Sequence, residues 1–223
     1  ALTVLGNRVA FVSIVGQDLE AMTVYEQLKR DAIPHGFVIQ ELDQTARSVI
    51  LYDGSGRRMI YVDLRDLQKR VYPAVLFEQA AHEVTLAVLC NINFSRPFLQ
   101  MMRARGVPIA TDVHAIAHPH DDYNRDFMAA ATILFMSHEQ LPCPPEDWIR
   151  GLWNRYGTEI AVVGMGADGA LLGVRQSGFL ERIPAVLTRP VVNTIGAGDA
   201  LFSAFVHVYQ ESGDAVRAIQ KAV

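Results

Sequence analysis

The sequence lacks the features that would cross-link the chain, carry it into a membrane or draw it to polyanions. Its only cysteines, Cys90 and Cys143, are too few for a disulfide framework and favour a reducing compartment. No apolar run approaches the ~20 residues that span a bilayer, and the N-terminus has no charged-then-apolar signal pattern. Twenty basic and 24 acidic residues give a net charge of −4, so charge provides no case for nucleic acid or an anionic membrane as partner. We expect a cytoplasmic protein that binds neither.

The composition of the chain is sufficient for one large hydrophobic core. Half of the 223 residues are hydrophobic, which is enough for a single domain or a domain with an appendage. Residues 1–5 are predicted to be the last turn of a helix, since a helix that short would not hold alone. Asp214 is predicted to cap a final helix through Val223, with no stop signal after it. These ends predict a chain truncated on both sides.

The order of segments predicts an α/β fold. A β-branched run at 9–15 predicts a buried strand, and Asp18 caps a helix whose apolar stripe is Leu19, Met22, Tyr25 and Leu28. From Thr85 strands and helices alternate, which predicts a mostly parallel central sheet with helices on both faces and ligands at the carboxyl ends of the strands. Several polar residues fall just past the predicted strand ends and are pocket candidates by position: Asn91, Asn93, Asp112, His114, Ser137 and His138.

The segment 35–63 breaks this alternation. Three extended stretches, 38–42, 46–52 and 59–62, follow one another without a helix, and a glycine-containing turn at 53–56 joins the last two. They predict a small antiparallel sheet that serves as a lid, with 1–34 and 64–223 as the α/β domain. An exposed lid strand is also a candidate edge for pairing in a homodimer.

Residues 191–205 combine an apolar stretch, two glycines and one carboxylate. The run from Ala200 to Val208 predicts a helix buried almost all round. Gly196 and Gly198 permit a sharp turn before it, so that Gly196, Ala197, Gly198 and Asp199 form a candidate phosphate cradle at the helix start. Asp199 on its own is typical of a helix-end charge. Beside an anion cradle, it indicates a general base.

The stretch Asn193 to Asp199, N-T-I-G-A-G-D, resembles the D-T-x-G-A-G-D signature of the ribokinase-like (PfkB) carbohydrate kinase family, with Asn193 in place of the usual aspartate. Further stretches are similar to family motifs in the same order. Leu5-Gly6 through Asp18 is similar to the L-G … V-G-x-D run, Asp53 to Arg58 resembles the lid hairpin, and Gly164 to Gly169 resembles the T-L-G-x-x-G nucleotide loop.

The resemblance implies a ribokinase-like fold and ATP-dependent phosphorylation of a sugar hydroxyl, with Mg²⁺ as cofactor. Asp199 is then the base, and Gly196, Ala197 and Gly198 supply the anion hole. The resemblance also implies a set of nucleotide-binding residues: Asn193, Thr194, Gly166, Asp168, Gly169 and Ser137. Two departures concern the metal, whose ligands stay unassigned. Ser137-His138-Glu139-Gln140 aligns with the family's N-x-x-E motif, and His114 stands where a D-x-N strand end often has asparagine.

Other readings of the motifs stay open. Gly164 to Gly169 matches G-x-G-x-x-G, but the following residues predict a hairpin rather than the helix that a dinucleotide site needs, which leaves a plain glycine turn or a nucleotide loop. His118 and His120 are metal-ligand types in a polar loop that favours solvation. For function, the alternatives are a nucleoside kinase of the same family and a member that binds nucleotide or sugar without transferring phosphate.

Overall fold

The computed structural model of the chain describes residues 1–54, 58–118, 120–188 and 194–223. The chain divides into two compact units. The large unit comprises residues 1–5, 85–91 and 95–223, and the small unit comprises residues 6–84 and 92–94. The predicted division, with 35–63 as a lid on one α/β domain, stays a prediction.

The described chain contains ten strands and seven α-helices. The strands are β1 (Val12–Val15), β2 (Phe37–Gln40), β3 (Arg47–Tyr52), β4 (Arg58–Asp63), β5 (Ala87–Val88), β6 (Ile109–Ala115), β7 (Ile133–Ser137), β8 (Ile160–Gly164), β9 (Ala170–Val174) and β10 (Phe179–Ile183). The helices are α1 (Leu19–Arg30), α2 (Ala74–Ala80), α3 (Arg96–Ala104), α4 (Arg125–Ala130), α5 (Pro145–Tyr156), α6 (Ala197–Ser212) and α7 (Ala215–Ala222). Among the described residues, no helix has the length and apolar character needed to cross a membrane.

In the small unit, β1, α1 and β2 form a strand–helix–strand unit whose two strands pair in parallel. Asp18 caps α1 as predicted, because its carboxylate accepts a hydrogen bond from the amide of Ala21 at 3.0 Å. The predicted stripe is wrong for Leu19 and Met22, which are 77% and 58% exposed. The helix instead packs Ala21 and Leu28 on the strands, with other residues of that face partly buried.

The β3 and β4 strands pair only with each other among the described strands, in an antiparallel ribbon that matches Tyr52 with Arg58. This pairing confirms the predicted hairpin, although residues 55–57 of its turn lie outside the described chain. The predicted third strand of that sheet is wrong, because β2 pairs with β1 instead. The helix between β1 and β2 permits parallel pairing, which a sequence without an intervening helix does not.

The large unit is built on a six-stranded sheet in the order β10-β9-β8-β7-β6-β5. Neighbours from β5 to β8 are parallel, whereas β9 and β10 are antiparallel additions at one edge. The carboxyl ends of β5 to β8 therefore meet along one edge of the sheet, as predicted for a ligand site in this class of fold. The predicted fold, a mostly parallel sheet with helices and a small antiparallel sheet, is confirmed.

Helices cover both faces of this sheet. Phe135 of β7 packs edge-to-face against Phe202 and Phe205 of α6, with ring centroids 4.9 Å and 5.2 Å apart. Met136, the next residue, points to the opposite face, where its sulfur accepts a hydrogen bond from Trp148 Nε1 of α5 at 3.0 Å. The two faces of β7 thus hold α6 and α5 in place.

Helix α6 is less buried than its sequence predicts. Only Phe205 and Val206 in it are fully buried, and Ala200 is exposed. A helix on one face of a sheet packs only the stripe that faces the sheet, so a fully apolar sequence still leaves the rest of the helix partly exposed. Asp214 caps α7 as predicted, by accepting hydrogen bonds from the amides of Val216 and Arg217.

Candidate functional site

The start of α6 brings together the glycines and the carboxylate singled out in the sequence. Gly196 caps the helix in a left-handed conformation (φ +74°), which glycine adopts at no steric cost, and the 16-residue helix follows directly. Asp199 lies in the first turn and is exposed. One of its carboxylate oxygens, Oδ2, lies 4.0 Å from the position that a Cβ on Gly196 would occupy. The carboxylate therefore lies over the glycine turn.

The first turn of α6 leaves backbone donors for a ligand. The amide of Ala197 already donates to the carbonyl of Thr194 at 3.2 Å, and Ala200 continues the helix by donating to Gly196 at 2.8 Å. Helix geometry leaves the amides of Gly198 and Asp199 without an intrahelical acceptor. Apart from its chain neighbours and the backbone of its own helix, no atom of the described residues lies within 4 Å of the position of a Cβ on Gly198. This open space, lined by amides at the positive end of the helix, fits a phosphate group.

The second glycine turn lies at the end of β8. Residues Gly166–Asp168 form a short 3-10 helix, and strand β9 follows immediately. The predicted hairpin of β9 and β10 is confirmed by their antiparallel pairing. The dinucleotide hypothesis fails here, because that fingerprint must open a helix.

Two glycines of this turn, Gly166 and Gly169, have different surroundings. Gly169 has φ +88°, and a Cβ there would lie 2.0 Å from the carbonyl oxygen of Ile183, so the fold itself requires glycine at this position. Gly166 (φ +60°) has open space around it. Ser137 ends the neighbouring strand and pairs with Gly164, which puts it beside the turn. Asp168 is exposed in the turn. Of the turn's glycines, Gly166 leaves room for a ligand.

The first turn of α6 reaches this edge of the sheet. A Cβ on Gly164, the last residue of β8, would lie 3.7 Å from Leu201 Cδ2. Leu201 is two residues beyond Asp199, so the base candidate and the glycine turn after β8 belong to the same edge. The structure therefore brings together Gly196, Gly198 and Asp199 and puts the Gly164–Gly169 turn nearby.

The register of the sheet shows that two further residues, Cys90 and Asp112, lie at this edge. Val88 pairs with Ala110, and the next residue, Leu89, continues the ladder by donating its amide to Ala110 O at 3.0 Å. Continuing this register puts Cys90 level with Asp112, which pairs with Phe135 of β7. Side chains of paired residues point to the same face of a sheet, so Cys90 and Asp112 face α6 as Phe135 does.

The shifted pKa of the Cys90 thiol agrees with a position of Cys90 near Asp112 and the start of α6. Burial raises the pKa of the Cys90 thiol, although the residue keeps exposed surface, and the negative charges of Asp199 and Asp112 raise it further. Asp112 was a pocket candidate by its place at a strand end. Cys90 is not among those candidates, because in the sequence it bears only on the absence of disulfides. The signal that identifies it is its position at the end of the strand that is predicted to begin at Thr85.

His114 follows Asp112 in an unusual conformation. It has φ +58°, which is uncommon for a residue with a side chain, and it lies in a bulge of β6 between Asp112 and Ala115. Asp112 Oδ1 accepts a hydrogen bond from the His114 amide at 2.7 Å, and Asp112 Oδ2 lies 3.8 Å from His114 Nδ1. The bulge and this hydrogen bond hold the Asp112 carboxylate in one orientation.

The described residues provide no support for two predicted site features, the nucleotide contact of Asn193 and a metal site at His118 and His120. Asn193, a predicted nucleotide contact, lies outside the described residues, as do its neighbours 189–192. Thr194 is exposed just before the glycine turn. No group of three histidine, cysteine, aspartate or glutamate side chains in the described ranges is arranged to hold a metal ion. The site around His118 and His120 therefore gains no support, with residue 119 between them also undescribed.

Comparison with known proteins gives a consistent result. The sequence profile of the pfkB family carbohydrate kinases matches residues 1–223. The chain is 21% identical over 220 residues to the fructosamine kinase FrlD of Bacillus subtilis, covering 98% of this chain and 76% of that protein. It is 26% identical over 207 residues to the acarbose 7(IV)-phosphotransferase of an Actinoplanes species, covering 92% of this chain and 68% of that protein.

A solved structure of a microbiome-derived acarbose kinase superposes with a TM-score of 0.86 at 26% identity. The match covers 99% of this chain and 74% of that chain. The likeness in sequence and in structure thus extends over almost all of the chain described above.

Proposed function

This chain belongs to the pfkB family of carbohydrate kinases, and we propose that it transfers the γ-phosphate of ATP to a hydroxyl group of a sugar or sugar-like molecule, with Asp199 as the general base. Phosphotransfer to an alcohol group is the activity that the family and the related kinases share. The relatives named for fructosamine and acarbose support a carbohydrate or a carbohydrate-like acceptor. The observation that carries the proposal is the exposed carboxylate of Asp199 over the open glycine turn at the start of α6.

In the proposed mechanism, Asp199 accepts the proton of the acceptor hydroxyl as its oxygen attacks. Such a base typically accelerates a reaction by ~10² to 10⁴-fold. ATP, when bound, supplies the phosphoryl group, with Mg²⁺ as its counter-ion. The amides of Gly198 and Asp199 donate hydrogen bonds to phosphate oxygens, and each donor of this kind commonly contributes ~3 kcal/mol. Ala197 contributes through the turn geometry, since its amide already bonds Thr194.

The nucleotide contacts are also part of the proposal. Open space at Gly166 supports a close approach of the nucleotide to the turn after β8, and Ser137 stands beside that turn. Asp168 and Thr194 are exposed and accessible to the same ligand. For Asn193 we expect an effect on metal affinity, so that Asn193→Asp changes the Mg²⁺ dependence. The metal ligands are unassigned.

The test is an ATP-consumption screen over sugars, amino sugars, sugar phosphates and nucleosides, followed by Asp199→Asn on the best acceptor. We expect at least a 100-fold loss of turnover with an unchanged unfolding transition. Glu211→Gln, on the last turn of the same helix, is the matched control and keeps the parent's rate. Near-parental turnover in Asp199→Asn would show that the base is another group. Binding of ATP without turnover on any acceptor would show a silent member of the family.

We further propose that the β3–β4 ribbon pairs with a second copy of the chain. Its apolar side chains are exposed on both faces, including Val49 (54%), Ile60 (48%) and Tyr61 (57%). A two-stranded ribbon is marginally stable alone, so it needs a covering partner. Sedimentation of the parent and of Ile60→Lys tests this: a dimer that the substitution dissociates supports pairing through the ribbon, and a monomeric parent overturns it. A cytoplasmic location stays a prediction.

A further inference from the structure

The carbonyl oxygen of Gly164, the last residue of β8, is bound twice by one residue that follows β7. His138 donates its backbone amide to this oxygen at 3.1 Å, and its ring Nδ1 lies 3.0 Å from the same oxygen. A carbonyl oxygen can only accept, so Nδ1 carries the hydrogen and donates it. The amide bond continues the β7–β8 ladder, in which Ser137 pairs with Gly164. The ring bond is additional to the ladder and depends on the side chain.

The turn after Gly164 is closed by its own backbone. The amide of Met165 donates to the carbonyl of Gly169 at 2.8 Å, and the amide of Gly169 donates to the carbonyl of Gly166 at 3.1 Å. Immediately outside the turn, Gly164 of β8 pairs with Ala170 of β9 in an antiparallel hairpin. A loop that is bonded in this way changes position as a unit. The place of Gly166, where open space supports a ligand, therefore follows from the place of Gly164.

The segment that carries His138 is fixed by hydrogen bonds of its own. The amide of Glu139 donates to Ser137 Oγ at 3.3 Å, and the amide of Leu141 donates to the carbonyl of His138 at 3.2 Å. Accepting the first of these bonds does not use the hydrogen of the Ser137 hydroxyl, which can still be donated to a ligand. The backbone of the segment is thus held without help from the ring, and the ring bond ties this segment to the turn after β8.

Helix α6, which carries Asp199, is fixed to the sheet by different contacts. Phe202 and Phe205 of the helix pack edge-to-face on Phe135 of β7, with ring centroids 4.9 Å and 5.2 Å apart. We expect the loss of the His138 ring bond to loosen the turn after β8 and to leave the helix in place. An effect on the nucleotide can therefore be separated from an effect on the proton transfer.

We propose that His138 is a positioning residue for the nucleotide: its ring Nδ1–H holds the carbonyl of Gly164 and thereby fixes the turn in which Gly166 approaches ATP. This inference rests on the proposed function, because it takes the turn 164–169 as part of the ATP site. In this role the ring acts through the turn and makes no contact with the nucleotide. A hydrogen bond of this kind, when lost, weakens the binding that depends on it by about fivefold.

The test compares His138→Leu with His138→Asn. The two side chains have nearly the same shape, but only asparagine has a donor, Nδ2, at the position of Nδ1. The ring of His138 is exposed, so neither variant opens a cavity in the core. For His138→Leu we expect the Kd of ATP, titrated without an acceptor, and the KM for ATP to rise about fivefold, with kcat changed by less than about twofold. His138→Asn should keep the values of the parent.

A second measurement needs no ligand. Amide hydrogen exchange at Met165 and Gly169 should be severalfold faster in His138→Leu than in the parent, and should return to the parent's rate in His138→Asn. Gln210→Leu is the control, because it removes a side-chain hydrogen bond to Thr85 from another part of the large unit. A purely structural loss of this kind lowers the unfolding transition but leaves the KM for ATP and the exchange of the turn unchanged.

The outcomes separate this proposal from the proposed function. An unchanged Kd of ATP in His138→Leu overturns the role of His138, and so does a loss of affinity that His138→Asn does not restore or that Gln210→Leu reproduces. Weaker ATP binding without faster exchange of the turn also overturns it, since the ring would then contact the nucleotide directly. A parent that binds ATP but phosphorylates no acceptor contradicts the proposed function alone. A parent that binds no ATP overturns both.

Discussion

Asp18 and Thr45 are joined by two hydrogen bonds: the carboxylate accepts from the Thr45 hydroxyl at 2.6 Å and from the Thr45 amide at 2.7 Å. The same hydroxyl accepts a hydrogen bond from the amide of Gly16 at 3.0 Å. A Cβ on Gly16 would lie 2.4 Å from the Thr45 amide nitrogen, so only glycine permits this approach. The V-G-x-D run therefore ties the end of β1 and the start of α1 to the segment that leads into β3.

Thr45→Val removes the hydroxyl from this arrangement. The buried amide of Gly16 loses its acceptor and Asp18 loses a donor, so we expect the free energy of unfolding to fall by about 1 to 3 kcal/mol. Urea denaturation measures the change. Thr23→Val is the control, because that hydroxyl bonds only a carbonyl on the exposed side of α1, and its effect stays within about 0.5 kcal/mol. Equal losses in the two variants would contradict the role of Thr45.

The Asp18 bonds also predict a pH dependence. The hydrogen bond from the Thr45 hydroxyl, followed by those from the backbone, lowers the pKa of Asp18 in the folded protein. A lowered folded pKa stabilises the fold at pH values above the ordinary aspartate pKa of about 3.9, and this stabilisation is lost as the pH falls through the folded value. Urea midpoints of the parent and Asp18→Asn should thus differ fully at pH 7 and 5, begin to converge near the ordinary aspartate pKa of about 3.9, and meet only below the folded pKa of Asp18. A difference that does not depend on pH would assign the effect to shape rather than charge.

Gly169 and Gly178 provide a matched pair, since both have positive φ, +88° and +69°. A Cβ at Gly169 collides with the backbone of 183–185, whereas no atom of the described residues lies within 4 Å of one at Gly178, apart from the neighbours of Gly178 in the chain. We expect Gly169→Ala to lower the free energy of unfolding by about 3 kcal/mol or more, and Gly178→Ala by about 1 kcal/mol from backbone strain alone. Thermal unfolding with calorimetry measures both. Similar losses of unfolding free energy in the two variants would mean that the 183–185 segment shifts at little energetic cost.

Gly198 is a glycine of the proposed phosphate cradle that the fold does not require. It has no positive φ and open space around it, so Gly198→Ala should leave stability unchanged or raise it by up to about 1 kcal/mol. Turnover should fall at least about tenfold, because a methyl group occupies the space proposed for phosphate. Gly151→Ala in α5 is the matched control: it is also helical with open surroundings, and its activity should equal the parent's. Full activity in Gly198→Ala would contradict the proposal that the first turn of α6 binds phosphate.

Local signals in the sequence were enough for several elements of both units. The residues after Gly169 predicted the β9–β10 hairpin, and the capping aspartates predicted the starts of α1 and α7. The predictions that are wrong concern the buried face of α1 and the partner of β2, which both depend on residues far apart in sequence. Which face of α1 is buried depends on the β1–β2 pair beneath it, and β2 joined β1 rather than the ribbon.

The sequence by itself determined the family, the order of the elements and the glycine turn that begins α6 with Asp199 in its first turn, because these depend on residues close together in the chain. Only the tertiary structure decided that Cys90 and Asp112 face the same side as that helix, and that Gly169 is required by the packing of 183–185 whereas Gly198 is not. The physical reason is that strand register and close backbone approach are set by hydrogen bonds between segments far apart in sequence.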